Sequence, residues 1–284
     1  MTALAPVTRF APSPTGPLHL GHAFSVLTAE ARAGPNGRFL LRIEDIDQGR
    51  ARPAWEQQIF DDLAWLGVTW DTPVMRQTER KAAYETALDR LWARGLLYPC
   101  RCNRRDILAA ASAPQEGAPP TGPDGVIYPG TCRGASRDGP RPQGKALRLD
   151  MGLAARDLRF TETCADAPGG AREVAITADT LRATLGDVVI ARRDMGTSYH
   201  LAVVLDDAAQ GVTEVTRGAD LFAATGIHAV LQDLLDLPRP QYHHHRLIRD
   251  GAGKRLAKRD DARAIASYRR AGATPAGLRA LLGL

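Results

Sequence analysis

Two stretches in the first third of the chain carry apolar residues at helical spacing. In residues 54–66, and again in residues 81–94, apolar side chains recur every three or four positions, with Trp55 and Tyr84 among them. This period predicts two amphipathic helices that each turn one face toward a core. Because exposed aromatic platforms are rarer than buried rings, we expect both aromatic residues to be packing residues.

Short apolar runs before and after these helices have the length of strands. Residues 38–43 form one such run, and its end delivers Glu44, Asp45 and Asp47 into a loop. Ligands commonly bind beyond the carboxyl ends of parallel strands, so these carboxylates are well placed to meet one. The same signals predict further elements: strands over 187–193 and 198–205, a helix over 220–235, and a strand-like run at His243, His244 and His245. The sequence assigns no role to those three histidines.

Near the start of the sequence, a short apolar strand around Phe10 is followed by backbone rich in Pro and Gly. A helix is expected to begin after it, near Gly21. This junction holds the tetrapeptide His19-Leu20-Gly21-His22. Unpaired N–H groups and the positive end of the helix dipole favour phosphate oxygens there, and the two histidines add side-chain donors. Gly21 removes the Cβ that would block a purine. Two histidines three positions apart are equally common as ordinary surface residues, so the tetrapeptide alone leaves both interpretations open.

A cationic run, Lys254-Arg255-Leu256-Ala257-Lys258, follows a Gly-rich lead-in near the other end of the chain. Taken alone, such a run is usually a solvated face. Together with the histidine tetrapeptide it indicates an ATP-activating site. The predicted ATP-binding and catalytic residues are His19, Gly21, His22 and Lys258. Lys258 would neutralise the charge that develops as pyrophosphate leaves.

Composition narrows the class of protein. The 284 residues can form one large domain or two smaller ones, and the net charge of +5 suits either a polyanionic partner such as RNA or an enzyme that binds none. Four cysteines are too few for a secreted disulfide scaffold, so we expect a reducing, cytoplasmic setting. The sequence has no signal-peptide pattern and no window near 18 uninterrupted apolar residues, and we expect no membrane insertion.

Two segments, 110–125 and 134–144, are crowded with Ala, Pro and Gly and are predicted to be loops. They flank an insertion of about 90 residues that runs from near Cys100 to a strand at 188–190. The insertion therefore interrupts the main domain.

Several motifs resemble those of one enzyme family and occur in the same order. These are Arg9-Phe10-Ala11-Pro12-Ser13-Pro14-Thr15-Gly16, the histidine tetrapeptide, Leu41-Arg42-Ile43-Glu44-Asp45-Ile46-Asp47, residues 199–207 and residues 216–220. They resemble the catalytic domain of the glutamyl-tRNA synthetases, which are class I aminoacyl-tRNA synthetases. The run from Lys254 to Lys258 resembles the KMSKS element of that family, although Ala257 stands where serine is usual.

This resemblance implies an α/β fold with a Rossmann-type parallel sheet, an inserted zinc-containing α+β subdomain and a short helical C-terminus without an anticodon-binding domain. The expected boundaries are 1–98 and 187–240 for the two halves of the nucleotide-binding domain, 99–186 for the insertion, and 241–284 for the KMSKS-like loop and C-terminal helices. The length most resembles a truncated branch of the family, which transfers glutamate to the queuosine base at the wobble position of tRNA(Asp). ATP with Mg²⁺ would be a substrate, and a monomer is expected.

The resemblance also implies roles in a glutamate pocket. The substrate carboxylate attacks the α-phosphate of ATP, so the protein needs charge stabilisation and no nucleophile of its own. Arg9 can pair with a substrate carboxylate, and Glu44 can hold the ammonium group. Ser13, Tyr199 and Arg217 complete the pocket by resemblance. Taken singly, each arginine could equally be a partner in a surface salt bridge.

A metal site is the last expectation. Cys100, Cys102 and Cys132, with Tyr128 as the unusual fourth ligand, resemble the zinc-binding knuckle of the family. Three thiolates and a phenolate would fill a closed tetrahedral site. The alternative is a set of isolated reduced cysteines joined by a variable loop. Cys164 is expected to be unrelated.

Three functions remain open from the sequence. The first is a ligase that activates glutamate with ATP and transfers it to queuosine in tRNA(Asp). The second is a truncated glutamyl-tRNA synthetase that charges the acceptor end. The third is a zinc-dependent RNA-binding module without catalysis, suggested by Ala257 and the basic charge balance.

Overall fold

The structure is a computed structural model that describes residues 5–111, 119–248 and 264–284. The strands within these ranges are β1 Val7–Phe10, β2 Arg38–Ile43, β3 Asp71–Arg76, β4 Leu97–Cys100, β5 Thr121–Gly122, β6 Gly125–Val126, β7 Ala146–Leu149, β8 Leu158–Glu162, β9 Arg172–Ile176, β10 Val189–Ala191, β11 Glu214–Gly218 and β12 Gln241–His245. The helices are α1 Leu20–Ala33, α2 Pro53–Trp65, α3 Lys81–Ala93, α4 Arg104–Ala111, α5 Met151–Ala154, α6 Ala178–Thr184, α7 Tyr199–Ala209, α8 Thr225–Leu234, α9 Ile265–Arg270 and α10 Pro275–Leu282.

The main sheet is built from parallel strands. β2 pairs in parallel with β1 and with β3, while β11 pairs in parallel with β12, and β12 with β8. The two groups meet where the Thr213 amide donates to the Val7 carbonyl at 2.9 Å, which sets β11 beside β1. Helices connect these strands, as parallel pairing requires. The predicted α/β class with a parallel sheet is confirmed.

β2 is buried on both faces, as its continuous apolar run indicates. Leu40 packs into one apolar cluster with helices α3, α7 and α8, whereas Phe39 and Leu41 pack into a second cluster with α1, α2, α9 and α10. Successive side chains of a strand point to opposite faces, so one strand serves two cores. Arg42 shares the face of Leu40 and is fully buried.

The two helices predicted from apolar spacing are confirmed within about one residue, as α2 and α3. The C-terminal helices expected after the KMSKS-like loop are α9 and α10. The strand predicted over 198–205 is wrong, because those residues begin α7. Ser198 caps this helix by accepting a hydrogen bond from the Leu201 amide at 3.3 Å. The run is apolar on nearly every side, so it shows no period that separates a buried helix from a buried strand. The helix predicted over 220–235 begins at Thr225, after a short turn.

The region from 99 to 186 contributes to more than one sheet. β7 pairs antiparallel with β4 and β10 in a small sheet, and β5 and β6 form a hairpin. β8 and β9 extend the main sheet beyond β12. The segment 134–144 contains no helix or strand, as predicted. Of the loop predicted over 110–125, residues 112–118 lie outside the described ranges and residues 121–126 form the hairpin instead. The domain boundaries stay a prediction.

No helix within the described residues combines the length and apolar character needed to cross a membrane.

Candidate active site

A cavity of about 480 Å³ opens beyond the carboxyl ends of β1, β2 and β11. This volume is typical of a small-molecule site. Ser13 after β1, Glu44 after β2 and Tyr199 at the start of α7 line its wall. The sheet therefore brings together three of the residues expected to hold an amino acid, although they are far apart in sequence. We call this space the main cavity.

Asp207 lies between two buried arginines close to the main cavity. Its Oδ1 accepts from Arg9 Nε at 3.0 Å and from Arg42 Nη1 at 2.7 Å. Burial raises the pKa of Asp207, but the two guanidinium groups outweigh it and hold that pKa below its ordinary value. Arg9 also donates from Nη1 to the Thr216 carbonyl at 3.3 Å. These bonds fix the orientation of the Arg9 guanidinium and occupy part of its fork.

Glu44 stands at the wall of the main cavity with only 9% of its surface exposed. Its Oε1 accepts from Arg42 Nη2 at 3.1 Å. Burial raises the pKa of Glu44 above its ordinary value, against the attraction of Arg42 and Arg9. A carboxylate that is this poorly solvated gains from a further positive charge. The site is therefore suited to a cation such as an ammonium group.

The Tyr199 hydroxyl belongs to the same electrostatic environment. Burial raises the pKa of Tyr199, the carboxylate of Glu44 raises it further, and Arg217 and Arg9 lower it. The three charged groups thus all lie close enough to act on the Tyr199 hydroxyl. Because the net pKa is raised, the phenol keeps its proton at neutral pH and can donate a hydrogen bond into the cavity.

Arg217 is buried and held on three sides. Its Nε donates to His244 Nε2 at 3.1 Å, its Nη1 to His228 Nδ1 at 2.9 Å, and its Nη2 to Thr225 Oγ1 at 2.8 Å. The guanidinium also lies 5.2 Å from the centroid of the Tyr242 ring. Three of its five N–H bonds are engaged in this way. Within the described residues, the remaining two, one on each terminal nitrogen, have no hydrogen-bond partner. Neither Arg217 nor Arg9 itself lines the main cavity.

The histidine tetrapeptide caps α1. His19 Nδ1 accepts from the Gly21 amide at 3.1 Å, and His22 Nδ1 accepts from the His19 amide at 3.1 Å. The two ring centroids lie 3.8 Å apart. Because both Nδ1 atoms accept, each neutral ring carries its proton on Nε2, which makes that atom a donor. The capping arrangement therefore presents two N–H donors of defined tautomer at a helix N-terminus.

A smaller cleft of about 180 Å³, the histidine cleft, is lined by His19, Gly21 and His22. Asp220 lines both this cleft and the main cavity, so the two spaces adjoin. Lys254, Arg255 and Lys258 lie outside the described residues. The chain on either side of them reaches the cleft: Ile248 lines it, and Ala264 forms an antiparallel bridge with His19.

A cluster of three sulfur atoms lies in the small sheet and the loop that follows the hairpin. The Sγ atoms of Cys100, Cys102 and Cys132 are within 4.8 Å of one another. Tyr128 Oη lies 3.5 Å from Cys100 Sγ and 3.4 Å from Cys102 Sγ. Zinc–sulfur bonds of about 2.3 Å in a tetrahedron place sulfur atoms about 3.8 Å apart. The donor set and its spacing therefore fit a metal ion.

Arg148 supplies positive charge beside this cluster. Its Nε donates to Cys100 Sγ at 3.3 Å, and its guanidinium carbon lies 3.8 Å from the centroid of the Tyr128 ring. Burial also raises the pKa of Cys132, but hydrogen bonds from Tyr128 and the Arg101 backbone outweigh it and bring that pKa to about 7. Burial raises the pKa of Tyr128, so this phenol becomes a phenolate ligand only next to a cation.

Sequence reasoning missed several residues that hold the site together: Arg42, Asp207, Thr225, His228 and His244. Arg42 could have been noticed, since a charged residue within an apolar strand run is rare without a partner. No local pattern marks His228 or His244, because their contacts join α8 and β12 to β11.

Comparison with known proteins identifies the family of this chain. The catalytic-domain model of the class I tRNA synthetases (E and Q) matches residues 6–124 and 163–284. A glutamyl-Q tRNA(Asp) synthetase of Rhodobacter capsulatus is 64% identical over 282 residues, which cover 98% of this chain and 100% of that protein. Another, from Nocardia farcinica, is 44% identical and covers 96% of this chain and 82% of its own.

Solved structures show the same fold. A glutamate tRNA ligase from Elizabethkingia meningosepticum, crystallised with its amino acid, is 26% identical with a TM-score of 0.73. The match covers 95% of this chain and 59% of that one, so the present chain spans less than two thirds of the ligase. A glutamate-tRNA synthetase from Elizabethkingia anophelis, with 24% identity and a TM-score of 0.73 over the same shares, supports the fold alone.

Proposed function

The chain belongs to the class I tRNA synthetases (E and Q), and from that premise we propose that it activates L-glutamate with ATP and transfers it to the queuosine base at the wobble position of tRNA(Asp). The reaction forms glutamyl-adenylate and pyrophosphate, and then releases AMP as the glutamyl group moves to the base. The names of the relatives at 64% and 44% identity support this acceptor.

One observation carries the amino-acid half of the proposal. Glu44 and Tyr199 line the same cavity, and two buried guanidinium groups act there: Arg9 on both residues and Arg217 on Tyr199. Glutamate has one ammonium and two carboxylates, which matches one buried carboxylate and two arginines. Ser13, on the same wall, would add a hydroxyl. We assign the ammonium to Glu44 and the carboxylates to the arginines.

The nucleotide half of the proposal uses the histidine cleft. The Nε2 donors of His19 and His22 at the start of α1, together with the space beside Gly21, suit ATP carrying Mg²⁺. Asp220 borders both spaces, so an α-phosphate at their junction could meet the amino-acid carboxylate. Lys258 is assigned by its motif to the leaving pyrophosphate. The chain that precedes and follows this motif borders the cleft, which supports the assignment.

We further propose that Cys100, Cys102, Tyr128 and Cys132 hold one structural zinc ion. The spacing of the four donor atoms and the positive charge of Arg148 beside them support this choice. When bound, zinc would tie the start of the inserted region to the loop after the hairpin. No step of the reaction requires it.

The remaining assignments follow from the substrate. A tRNA substrate supports a cytoplasmic location, and the reducing conditions there suit four free thiols. The resemblance to the family implies a monomer, and we propose that state here.

Transfer of radiolabelled glutamate tests the proposal. The purified protein is incubated with ATP, Mg²⁺ and either queuosine-containing tRNA(Asp), the same tRNA lacking queuosine, or glutamate tRNA. We expect label only on the queuosine-containing tRNA(Asp), in a bond that survives removal of the 3′ terminal nucleotide.

Label on glutamate tRNA would instead support acceptor-end charging, which the likeness to a solved glutamate tRNA ligase favours. Absence of ATP–pyrophosphate exchange with every tRNA would support a non-catalytic RNA-binding module. Either result would overturn the proposal.

A further inference from the structure

A chain of hydrogen bonds leads from the inserted hairpin to Arg217. Asp124 accepts from His200 Nε2 at 3.1 Å through both carboxylate oxygens, and His200 Nδ1 lies 3.1 Å from His228 Nε2. His228 Nδ1 in turn lies 2.9 Å from Arg217 Nη1. The two histidines and the arginine are buried, whereas the Asp124 side chain is 52% exposed. The inserted region and the arginine are thus joined by three consecutive contacts.

The donors in this chain run in one direction. Arg217 can only donate, so His228 Nδ1 must accept and the proton of this ring lies on Nε2. That proton is donated to His200 Nδ1, which leaves the His200 proton on Nε2, facing Asp124. Burial and the neighbouring Arg217 charge hold the pKa of His228 well below its ordinary value, which is consistent with a neutral ring. Each ring nitrogen of the two histidines therefore has one role, either donor or acceptor. The series of hydrogen bonds must end at an acceptor, and Asp124 supplies it.

The hairpin that carries Asp124 is itself held in place. Pro123 and Asp124 form its two-residue turn, since Gly122 pairs with Gly125. A Cβ on Gly122 would lie 2.4 Å from the Thr184 carbonyl oxygen, so this position packs against the end of α6 too closely for any side chain. Asp124 and His200 both line the main cavity, as Glu44 and Ser13 do. The hairpin is a wall of the cavity, and its turn contacts α7.

We propose that Asp124, through His200 and His228, is a positioning element that orients Arg217 for a carboxylate of the amino acid. This inference rests on the proposed function and deepens it. His244 and Thr225 fix the other two nitrogens of Arg217, so the hairpin link is the third point that defines the plane of the guanidinium. Three contacts fix the plane of the guanidinium and therefore the orientation of its two remaining N–H bonds. The inserted region thereby contributes to amino-acid affinity from outside the main sheet.

Asp124 offers a sharp test because its exposed side chain can be changed with little risk to folding. Asp124→Ala removes the terminal acceptor, whereas Asp124→Asn keeps one carbonyl oxygen for His200. Asp138→Ala is the matched control. Asp138 is an exposed aspartate of the same inserted region, and it takes no part in the hydrogen bonds that join Asp124 to Arg217. Initial rates of ATP–pyrophosphate exchange with queuosine-containing tRNA(Asp) present give KM for glutamate, KM for ATP and kcat.

We expect Asp124→Ala to raise KM for glutamate by about fivefold or more, the size of one net hydrogen bond. KM for ATP should stay within about twofold, Asp124→Asn should restore most of the glutamate KM, and Asp138→Ala should match the unaltered protein. A glutamate KM that does not change in Asp124→Ala, or an equal rise in both KM values, would overturn the inference while leaving the proposed function intact. If the unaltered protein shows no glutamate-dependent exchange, both fail together.

Substitutions at His228 test the middle of this series of hydrogen bonds. His228→Gln keeps an acceptor and a donor on one amide, whereas His228→Leu keeps neither. We expect the glutamine variant to lie closer to the unaltered protein in glutamate KM than the leucine variant does. The reverse order would contradict a positioning role.

Discussion

Arg42 and Asp207 form a buried ion pair, with 2.7 Å between Nη1 and Oδ1, that joins β2 to α7. The two residues lie 165 positions apart. Arg42 also contacts Glu44 at the cavity wall, so the pair links the packing of β2 against α7 to the charge of the site.

Asp207→Asn should therefore lower the free energy of unfolding by about 3 kcal/mol, because it leaves Arg42 buried with one fewer counter-charge. Urea denaturation measures the change. Asp71→Asn provides the matched control, since the Arg38–Asp71 pair at the start of the same strand is largely exposed and should contribute less than about 1 kcal/mol. Equal effects of the two substitutions would show that burial does not govern the Arg42–Asp207 pair.

Glu44→Gln should raise KM for glutamate by roughly tenfold or more, because an amide cannot neutralise an ammonium group. The pH profile gives a second signature. Since burial raises the pKa of Glu44, the carboxylate is lost as pH falls through a value above the ordinary one, and kcat/KM for glutamate should fall with it. The glutamine variant should lack this acidic limb. A profile that keeps the limb would assign it to another group.

Cys132→Ala should abolish zinc binding. Elemental analysis of protein purified without chelator should give about one zinc per chain for the unaltered protein and close to none for the variant. Cys164→Ala serves as the control, because this buried cysteine lies outside the sulfur cluster and should leave the zinc content unchanged. Equal zinc content in all three proteins would exclude the cluster as the site.

Lys258→Ala should slow formation of the adenylate by about 100-fold, as expected for a lost stabiliser of developing charge. KM for glutamate should change little, because the motif is assigned to the pyrophosphate end of ATP. Lys145→Ala removes an exposed lysine elsewhere and should leave single-turnover rates unaltered. An adenylation rate that survives the loss of Lys258 would remove this residue from the reaction.

Asp62 lies on the buried face of α2 and should make the stability of the protein depend on pH. Both of its carboxylate oxygens lack a hydrogen-bond partner among the described residues, and burial raises its pKa to about 6 from an ordinary 3.8. A raised folded-state pKa gives stability that is full below about pH 4 and is lost as pH rises through 6.

Asp62→Asn removes this titration. We expect it to raise the free energy of unfolding by about 3 kcal/mol at pH 7.5 and to change it little at about pH 3.5, as measured by urea denaturation. Asp166→Asn makes the same charge change at an exposed position and should have little effect at either pH. A gain of equal size at both pH values would contradict the proposed burial cost.

The sequence predicted those parts of the fold in which one face of an element differs from the other. α2 and α3 alternate apolar and polar faces, and β2 is a short apolar run with a charged end, so their patterns define them. α7 is apolar nearly all round because it is buried nearly all round. Its helical form depends on the Ser198 cap and on packing against α8. Neither of these can be predicted from the spacing of apolar residues.

The site was predictable only where a motif marks it. Motif resemblance named Arg9, Glu44, Tyr199 and Arg217, yet the partners that hold the two arginines in place were not found. The His200–His228 contact spans 28 residues and the Asp124–His200 contact spans 76. Contacts of this kind depend on how distant elements meet in the folded chain, and a single sequence carries no periodic signal for them.

The bridge between His19 and Ala264 has a consequence for local unfolding. The Ile265 amide also donates to the Leu18 carbonyl at 2.9 Å, so residues 264–284 are attached to the backbone that leads into α1. No residue of this segment lines the main cavity. Local opening of residues 264–284 would therefore release His19 and alter the nucleotide cleft, while the wall of the amino-acid cavity would stay in place.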